Sequence, residues 1–351
     1  MIVISFLATS GAMLVPYKIA MVSDASAPLS PKYPGHGLGQ SVHRSALALA
    51  MAGHQVTVYA PEGSEPNDCY QMVTPCAVGD YRQERNIAKS VIGNHSSTPY
   101  DIIIDHTHTK TISYFAPSLP VISWYHDIFM RPGAKNPVMV SQGMKYLPGM
   151  EWSINFPVAH HWVDEKEYSY NANPVDPPYI LFMGIFREYK QPILAIQACA
   201  LASITLVVAG TIPGGVSPFM PNSSEVQYVG GVVGDDKISL YQNASAFLQL
   251  GNVEAFGLTT AEAALCGTPI VAWGSGGTLD LIEYENGVTP KSGVYVQSNR
   301  SQARSVADAI YYAMSLSRHD VRTAMVQKVS MKQHVDRVEK LIGEALNVQQ
   351  S

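Results

Sequence analysis

Charge is scarce in this chain and leans only weakly to one sign. Of its 351 residues 15% are charged, and 28 acidic against 23 basic side chains leave a formal net charge of −5. The imbalance is spread along the chain, with 12 acidic and 11 basic residues up to Lys166 and 16 and 12 beyond it. Proteins that live on nucleic acid or on anionic membranes carry an excess of Lys and Arg. Neither partner is therefore expected. Cysteine is sparse too. Cys69, Cys76, Cys199 and Cys266 form no C-x-x-C pair and no cysteine–histidine cluster of zinc spacing, which excludes a disulfide scaffold and argues for reduced thiols in a cytoplasmic setting. Internal repeats and low-complexity tracts are missing. Long hydrophobic runs are nearly so: only Met1–Pro16 comes close, and it falls short of the roughly 20 apolar residues of a spanning helix. It also lacks the leading positive charge of a secretory signal, since Lys18 comes after it. It reads as an added strand or ordered arm, and stable membrane insertion is not expected.

What is present is apolar and periodic. Hydrophobic residues make up 46% of the chain, enough for a real core and too many for disorder. Short apolar runs bounded by turn residues read as strands: 18–23, 55–60, 101–105 and 121–124, then 179–183, 205–209, 226–229, 246–250 and 269–272. Helical stretches lie between them at 40–52, 192–201 and 257–266, with others at 300–315 and 331–348. Alternating strands and helices predict doubly wound α/β sheets with parallel strands. The Pro/Asn-rich segment Asn171–Pro178 interrupts the series once. Two Rossmann-like domains are expected, 1–170 and 179–330, joined by a linker at 171–178, with a helix at 331–351 after them.

In such sheets ligands bind in the loops after the strands. The most informative of these loops leads into Glu254–Ala272, EAFGLTTAEAALCGTPIVA. Glu254 and Glu262 stand eight apart, and Phe256-Gly257-Leu258 opens a helix whose N-terminus aims free N–H groups outward, where phosphate or sugar oxygens are favoured. Thr259 and Glu262 also have the spacing of a capping box, which gives Glu262 a purely structural alternative. The segment resembles the E-x7-E signature of retaining nucleotide-sugar glycosyltransferases of family four, enzymes with the two-domain GT-B fold. Other blocks fall in that family's order after Lys18: Gly35–Gly39 with Gly53–Val58, Asp101–His106, His126-Asp127, Val163-Asp164, Gly184–Gln191, Gly210, Gly230, and Gly276-Gly277 with Asp280.

The resemblance implies roles residue by residue. Glu262 would hold the ribose hydroxyls and Glu254 the hydroxyls of the donor sugar. Lys190 would neutralise the diphosphate, with the amides around Phe256, Gly257, Leu258 and Thr259 and the glycines Gly37 and Gly210 letting the backbone approach. His126 would sit beside the reacting sugar. The sequence departs from the family in places. Ile185 stands where the family has a diphosphate-binding Arg, and Arg187 is expected to reach the same phosphates instead. Leu250-Gly251 replaces Pro-Ser, Asp280 replaces a Glu, and His161-Trp162 replaces Asn-Gly. His106 and His108 alternate like zinc ligands, but the sequence offers no third ligand beside them, and Asp235-Asp236 reads as a solvated turn. No metal and no bound cofactor are expected. The resulting expectation is metal-independent transfer of a sugar from a nucleoside diphosphate to an acceptor hydroxyl, with retention. The acceptor would be a soluble saccharide or small glycoside, against which Trp124, Tyr125 and Trp152 are available, with Trp124 reading equally well as a core residue. A nucleotide-sugar epimerase or hydrolase of the same fold, and a non-catalytic nucleotide-sugar-binding protein, remain as other classes.

Overall fold

The computed structural model describes residues 16–30, 37–128, 132–212, 225–296 and 301–350, with side chains through Asn347. The arm expected at 1–16 lies outside the described residues except for Pro16, as do Gly35 and His36.

The first sheet is built from β1 (Lys18–Val22), β2 (Gln55–Tyr59), β3 (Gln71–Val73), β4 (Ile102–Asp105), β5 (Val121–Tyr125) and β6 (Pro137–Met139). Helices α1 (Gly37–Met51), α2 (Tyr81–Ser97) and α3 (Thr111–Phe115) connect them. All pairings are parallel and the order is β3-β2-β1-β4-β5-β6. Parallel strands covered on both faces should read as unbroken apolar runs. Ile102, Ile103 and Ile104 do so and are fully buried.

The second sheet repeats this connectivity. It contains β7 (Tyr179–Met183), β8 (Thr205–Ala209), β9 (Val226–Gly230), β10 (Ala246–Gln249), β11 (Ile270–Ala272) and, after the small hairpin β12 (Tyr284–Glu285) and β13 (Thr289–Pro290), β14 (Gly293–Tyr295). Its order is β14-β11-β10-β7-β8-β9. The helices are α4 (Pro192–Ala202), α5 (Gly234–Asn243), α6 (Leu258–Leu265), α7 (Thr278–Leu281), α8 (Gln302–Met314), α9 (Arg318–Val329) and α10 (Met331–Gln350). In each sheet the first strand sits in the middle. The chain builds out to one edge, returns, and builds out to the other. The reversal falls between β1 and β4 in one sheet and between β7 and β10 in the other, and loops leaving adjacent strands diverge there to form a crevice.

Three devices hold the two sheets in register. Helix α10 lies against α1 and β5, with Ser45 Oγ 2.8 Å from His334 Nε2, His54 Nε2 3.0 Å from Glu339 Oε1, and Arg337 donating to the Val158 carbonyl. Arg318 and Arg322 of α9 bridge backbone carbonyls of the connecting segment, at Asn171 and at Glu165 and Tyr168, to carbonyls of the second domain at Gln242, Ala244 and Leu265. On the other side of the molecule Asp280 accepts from the amides of Gln142 and Gly143 at 2.7 Å each and from His160 Nε2 at 2.7 Å. Burial raises the Asp280 carboxyl, but His160 and those two amides more than offset it and hold it below its ordinary value.

Candidate active site

The carboxyl ends of the two sheets face each other across a cleft of about 800 Å³. Gly37, Arg44 and His126 line it from the first domain. Gly184, Lys190, Gly210, Lys237, Glu254, Glu262 and the run Phe256–Thr259 line it from the second.

Lys190 follows β7 and Glu254 follows β10, the two strands that flank the reversal in the second sheet. Topology therefore brings them together across 64 residues, with Lys190 Nζ 2.5 Å from Glu254 Oε2. Gln249 Nε2 donates to the same oxygen at 2.6 Å. Burial alone would push the Glu254 carboxyl up and the Lys190 ammonium down. Each partner reverses the effect on the other, so Glu254 is held below its usual range and Lys190 above its own, and both are charged. Gly251 lies against this pair: a Cβ there would stand 3.2 Å from Lys190 Cδ.

Gly257 has a left-handed backbone, φ +99°, as cap of α6, and no side chain caps the helix. Its first-turn N–H groups, including those of Leu258 and Thr259, have no intrahelical partner and lie at the cleft wall. Thr259 does not pair with Glu262, so the capping box is absent. The Glu262 carboxylate is instead 1% exposed and held by four side chains. Tyr168 donates at 2.8 Å and Tyr241 at 3.0 Å, Lys237 Nζ stands at 2.7 Å, and Arg44 reaches over from the first domain with both terminal nitrogens at 3.4 Å. Burial raises this carboxyl too, but Lys237 and Arg44 lower it below its ordinary value.

His126 stands at the end of β5 beside His106, which follows the neighbouring β4, with Nε2 2.8 Å from His106 Nδ1. His161 stacks on His126 with ring centres 5.2 Å apart and planes within 5°, and packs edge-on against Phe256 at 5.0 Å. Burial, first, and then the positive charge of Lys110 and Arg44 and the neighbouring histidines keep these rings neutral: His106 and His126 titrate well below their ordinary value, and His161 falls to about 3. Beneath them Lys110 is 1% exposed and spends its ammonium on the carbonyls of Asp105, Thr107 and Trp124. Burial lowers it to about 8. Gly37 opens α1 opposite Leu258, whose Cδ1 would be 3.3 Å from a Cβ on it. Gly210 lies against Gly184, where a Cβ would meet the carbonyl oxygen at 2.0 Å.

Several expectations need correction. Arg187 is exposed at the start of a short 3-10 turn and is not in the cleft wall. Among the described residues, the cations that face the cleft besides Lys190 are Arg44 and Lys237. Trp124 and Tyr125 are 1% and 0% exposed, and Trp152 packs edge-on against Tyr125, so none of the three offers a face to the cleft. Asp235 and Asp236 form the first turn of α5 rather than a preceding turn, where carboxylates suit the helix dipole. His108 does have further potential ligands nearby. Its ring, Asp24 and Glu84 bring ligand atoms within 4.8 Å of one another, the only such group of three among the described residues. Those atoms are already engaged: Glu84 accepts from His108 Nδ1 and its amide at 3.0 Å each and from the Thr109 amide at 2.9 Å, and Asp24 holds the Ser26 amide.

Residues 164–329 match the family model described as glycosyl transferases group 1. None of the curated proteins matches the chain. Among solved structures, the chain is similar to AviGT4, a glycosyltransferase involved in avilamycin A biosynthesis, at 20% identity and TM-score 0.71, covering 95% of this chain and 98% of that one. It is similar to the catalytic domain of starch synthase IV from Arabidopsis thaliana bound to ADP and acarbose, at 13% identity and TM-score 0.74, over 95% and 100%. Anabaena Alr3699/HepE in complex with UDP and glucose aligns at 14% identity and TM-score 0.65, over 93% and 99%. At these identities the likeness establishes the fold: two doubly wound α/β domains in the GT-B arrangement.

Proposed function

We propose that this GT-B chain, whose second domain matches the group 1 glycosyltransferases, transfers a sugar from a nucleoside diphosphate to an acceptor hydroxyl with retention of configuration. The observation that carries the reading is the Lys190–Glu254 pair at the strand reversal, beside the uncapped first turn of α6. Departure of a nucleoside diphosphate develops negative charge on its terminal phosphate. A fixed cation and aligned N–H groups at that point stabilise the transition state more than the ground state. Arrival of the donor lets the pair exchange partners: Lys190 turns to the diphosphate and Glu254 accepts from sugar hydroxyls. Glu262 would receive the ribose by the same kind of exchange, giving up some of its bonds to Arg44, Lys237, Tyr168 and Tyr241. The ADP and UDP bound in similar structures favour a nucleoside diphosphate as leaving group.

His126 is neutral and sits at the sugar end as a hydrogen-bonding group, not as a strong base. The acceptor proton then goes to the departing phosphate in a front-face displacement, and Lys190 with the α6 amides supplies the charge a metal would otherwise bring. The acceptor enters along the first domain. That domain's weak charge favours a soluble saccharide or small glycoside. Incubating the full chain with a panel of nucleotide sugars and acceptors, with and without EDTA, tests this. The expected result is acceptor-dependent, chelator-resistant release of nucleoside diphosphate, with the donor's anomeric configuration kept in the product. Equal release without acceptor points to hydrolysis or epimerisation, and no turnover of any donor overturns the reading.

A further inference from the structure

We propose that His106 is a positioning residue that fixes the tautomer of His126, so that His126 presents a ring N–H, and not a lone pair, to the ligand in the cleft. The part of this concerning a sugar ligand rests on the function proposed above; the tautomer itself does not.

The two histidines leave adjacent strands: β4 pairs with β5 up to Asp105 opposite Ser123, so His106 falls opposite Trp124 and His126 two residues beyond it. Lys110 ties the ends of both strands together through the Asp105 and Trp124 carbonyls. The 2.8 Å contact between His106 Nδ1 and His126 Nε2 is therefore built into the sheet edge. A neutral imidazole carries one N–H, and between two neutral rings only one proton can lie in the shared bond. That leaves two arrangements. In the first, His106 Nδ1–H donates to His126 Nε2. The remaining nitrogen of His106, Nε2, is then a bare lone pair, and His126 carries its proton on Nδ1. In the second, His126 donates, and His106 must carry its proton on Nε2.

His106 Nε2 is fully buried and has no hydrogen-bond partner among the described residues. The Trp124 ring stacked on His106, 5.4 Å between centres, has a buried and unpartnered Nε1–H of its own. Trp Nε1 is a donor only. The second arrangement buries two N–H donors in one stack with no acceptor for either. The first buries one donor beside one lone pair. Orphaned buried N–H groups are the rarer defect in proteins, and the first arrangement has fewer of them. His126 Nδ1 makes no hydrogen bond within the described residues, and the ring lines the cleft while His161, stacked flat against it, holds its plane. The group that reaches the ligand is thus Nδ1–H. A histidine so held donates to a sugar or phosphate oxygen throughout the neutral pH range and takes no proton.

The experiment is a long-range proton–nitrogen correlation spectrum of the nitrogen-15-labelled full chain, with His126 signals assigned by their loss in His126→Gln. The expected pattern is a protonated Nδ1 and a bare Nε2. In His106→Asn the amide takes the place of Nδ1 and the pattern should persist. In His106→Phe the donor is gone and His126 should pass to the Nε2–H form. If the glycosyl-transfer reading holds, His106→Phe lowers kcat by about tenfold to a hundredfold with donor KM changed less than about twofold, and His106→Asn recovers most of the loss. A bare Nδ1 in the unaltered chain overturns the proposal, as does an unchanged tautomer in His106→Phe. The spectrum of the unaltered chain needs neither a folded variant nor a substrate, so it decides the tautomer even if no donor is turned over.

Discussion

Arg44 of the first domain and Glu262 of the second meet across the back of the cleft, both guanidinium nitrogens 3.4 Å from one carboxylate oxygen, and both side chains are buried. Removing one member of such a pair leaves its partners charged in a dry site, a cost of about 3–5 kcal/mol. Glu262→Ala strands Lys237 and leaves Arg44 only Glu167, 3.3 Å away, as a carboxylate partner, so its melting temperature should fall by more than a lost helix cap of about 1 kcal/mol would cause. Calorimetry on the same variant should show weaker nucleoside diphosphate binding, by roughly 1.5–3 kcal/mol. A variant with ordinary stability and full affinity would contradict both roles.

Lys190 and Arg187 should separate cleanly. Lys190→Ala removes the cation that holds Glu254, so diphosphate binding should weaken far more than nucleoside binding, and the Glu254 carboxyl should rise from its depressed value. Arg187→Ala should leave nucleoside diphosphate affinity within about twofold, because the side chain lies outside the cleft wall. Isothermal titration of both variants with a nucleoside and its diphosphate decides the matter.

The His108–Glu84 contact makes a signed prediction about pH. The Glu84 hydrogen bond raises His108 above its usual 6.5. A group raised on folding adds stability that is fully present below the unfolded value and is lost as pH rises through the folded one. Melting temperature should therefore decline from pH 6 towards pH 8 by a component that vanishes in His108→Gln. Glu84, Glu254, Glu262 and Asp280 act in the opposite sense: held low in the fold, they stabilise above the ordinary carboxylate range, and that contribution drains away in acid as pH falls through their depressed values.

Gly143→Ala tests the contact between the domains. A Cβ at Gly143 would stand 1.8 Å from the Gly276 carbonyl oxygen, which is backbone on the opposite domain. Overpacking of this kind costs about 1–3 kcal/mol if the structure stays closed. The expected result is a lower melting temperature or, if the domains part instead, a larger radius of gyration by small-angle scattering. An alanine variant unchanged in both would mean the two glycines do not touch in solution.

The strands were legible because parallel strands buried on both faces are continuous apolar runs. Tyr179–Met183 and Thr205–Ala209 are strands to the residue. Helix α2 was not foreseen: only Glu84, Ile87, Ala88 and Val91 are buried in its 17 residues, too narrow a stripe to stand out. Strand β3 has three residues and no full alternation. The site divides in the same way. Glu254, Gly257 and Glu262 lie in one contiguous segment and were legible together. Arg44 and Lys237 are isolated cations in helices, and only the strand order and the domain closure bring Arg44 to a carboxylate 218 residues away. The cation missing at Ile185 is not supplied two positions along the chain by Arg187; Arg44 and Lys237 arrive from other elements. His161 was legible only as a departure from a motif. The stack it forms with His126 could be read only once β5 and the segment after β6 were seen side by side.

The Lys190–Glu254 pair keeps the cleft electrically quiet at the point where, on the proposed function, an anion would be received. A simple anion such as inorganic phosphate gains Lys190 only by abandoning Glu254 as a buried, uncompensated charge, and the exchange is close to break-even or worse. A ligand that brings an anion and several hydroxyl donors on one rigid frame replaces both halves at once. On the proposed function the pair would work as a coincidence detector: it would discriminate between molecules not by how strongly either end binds but by whether both ends arrive together.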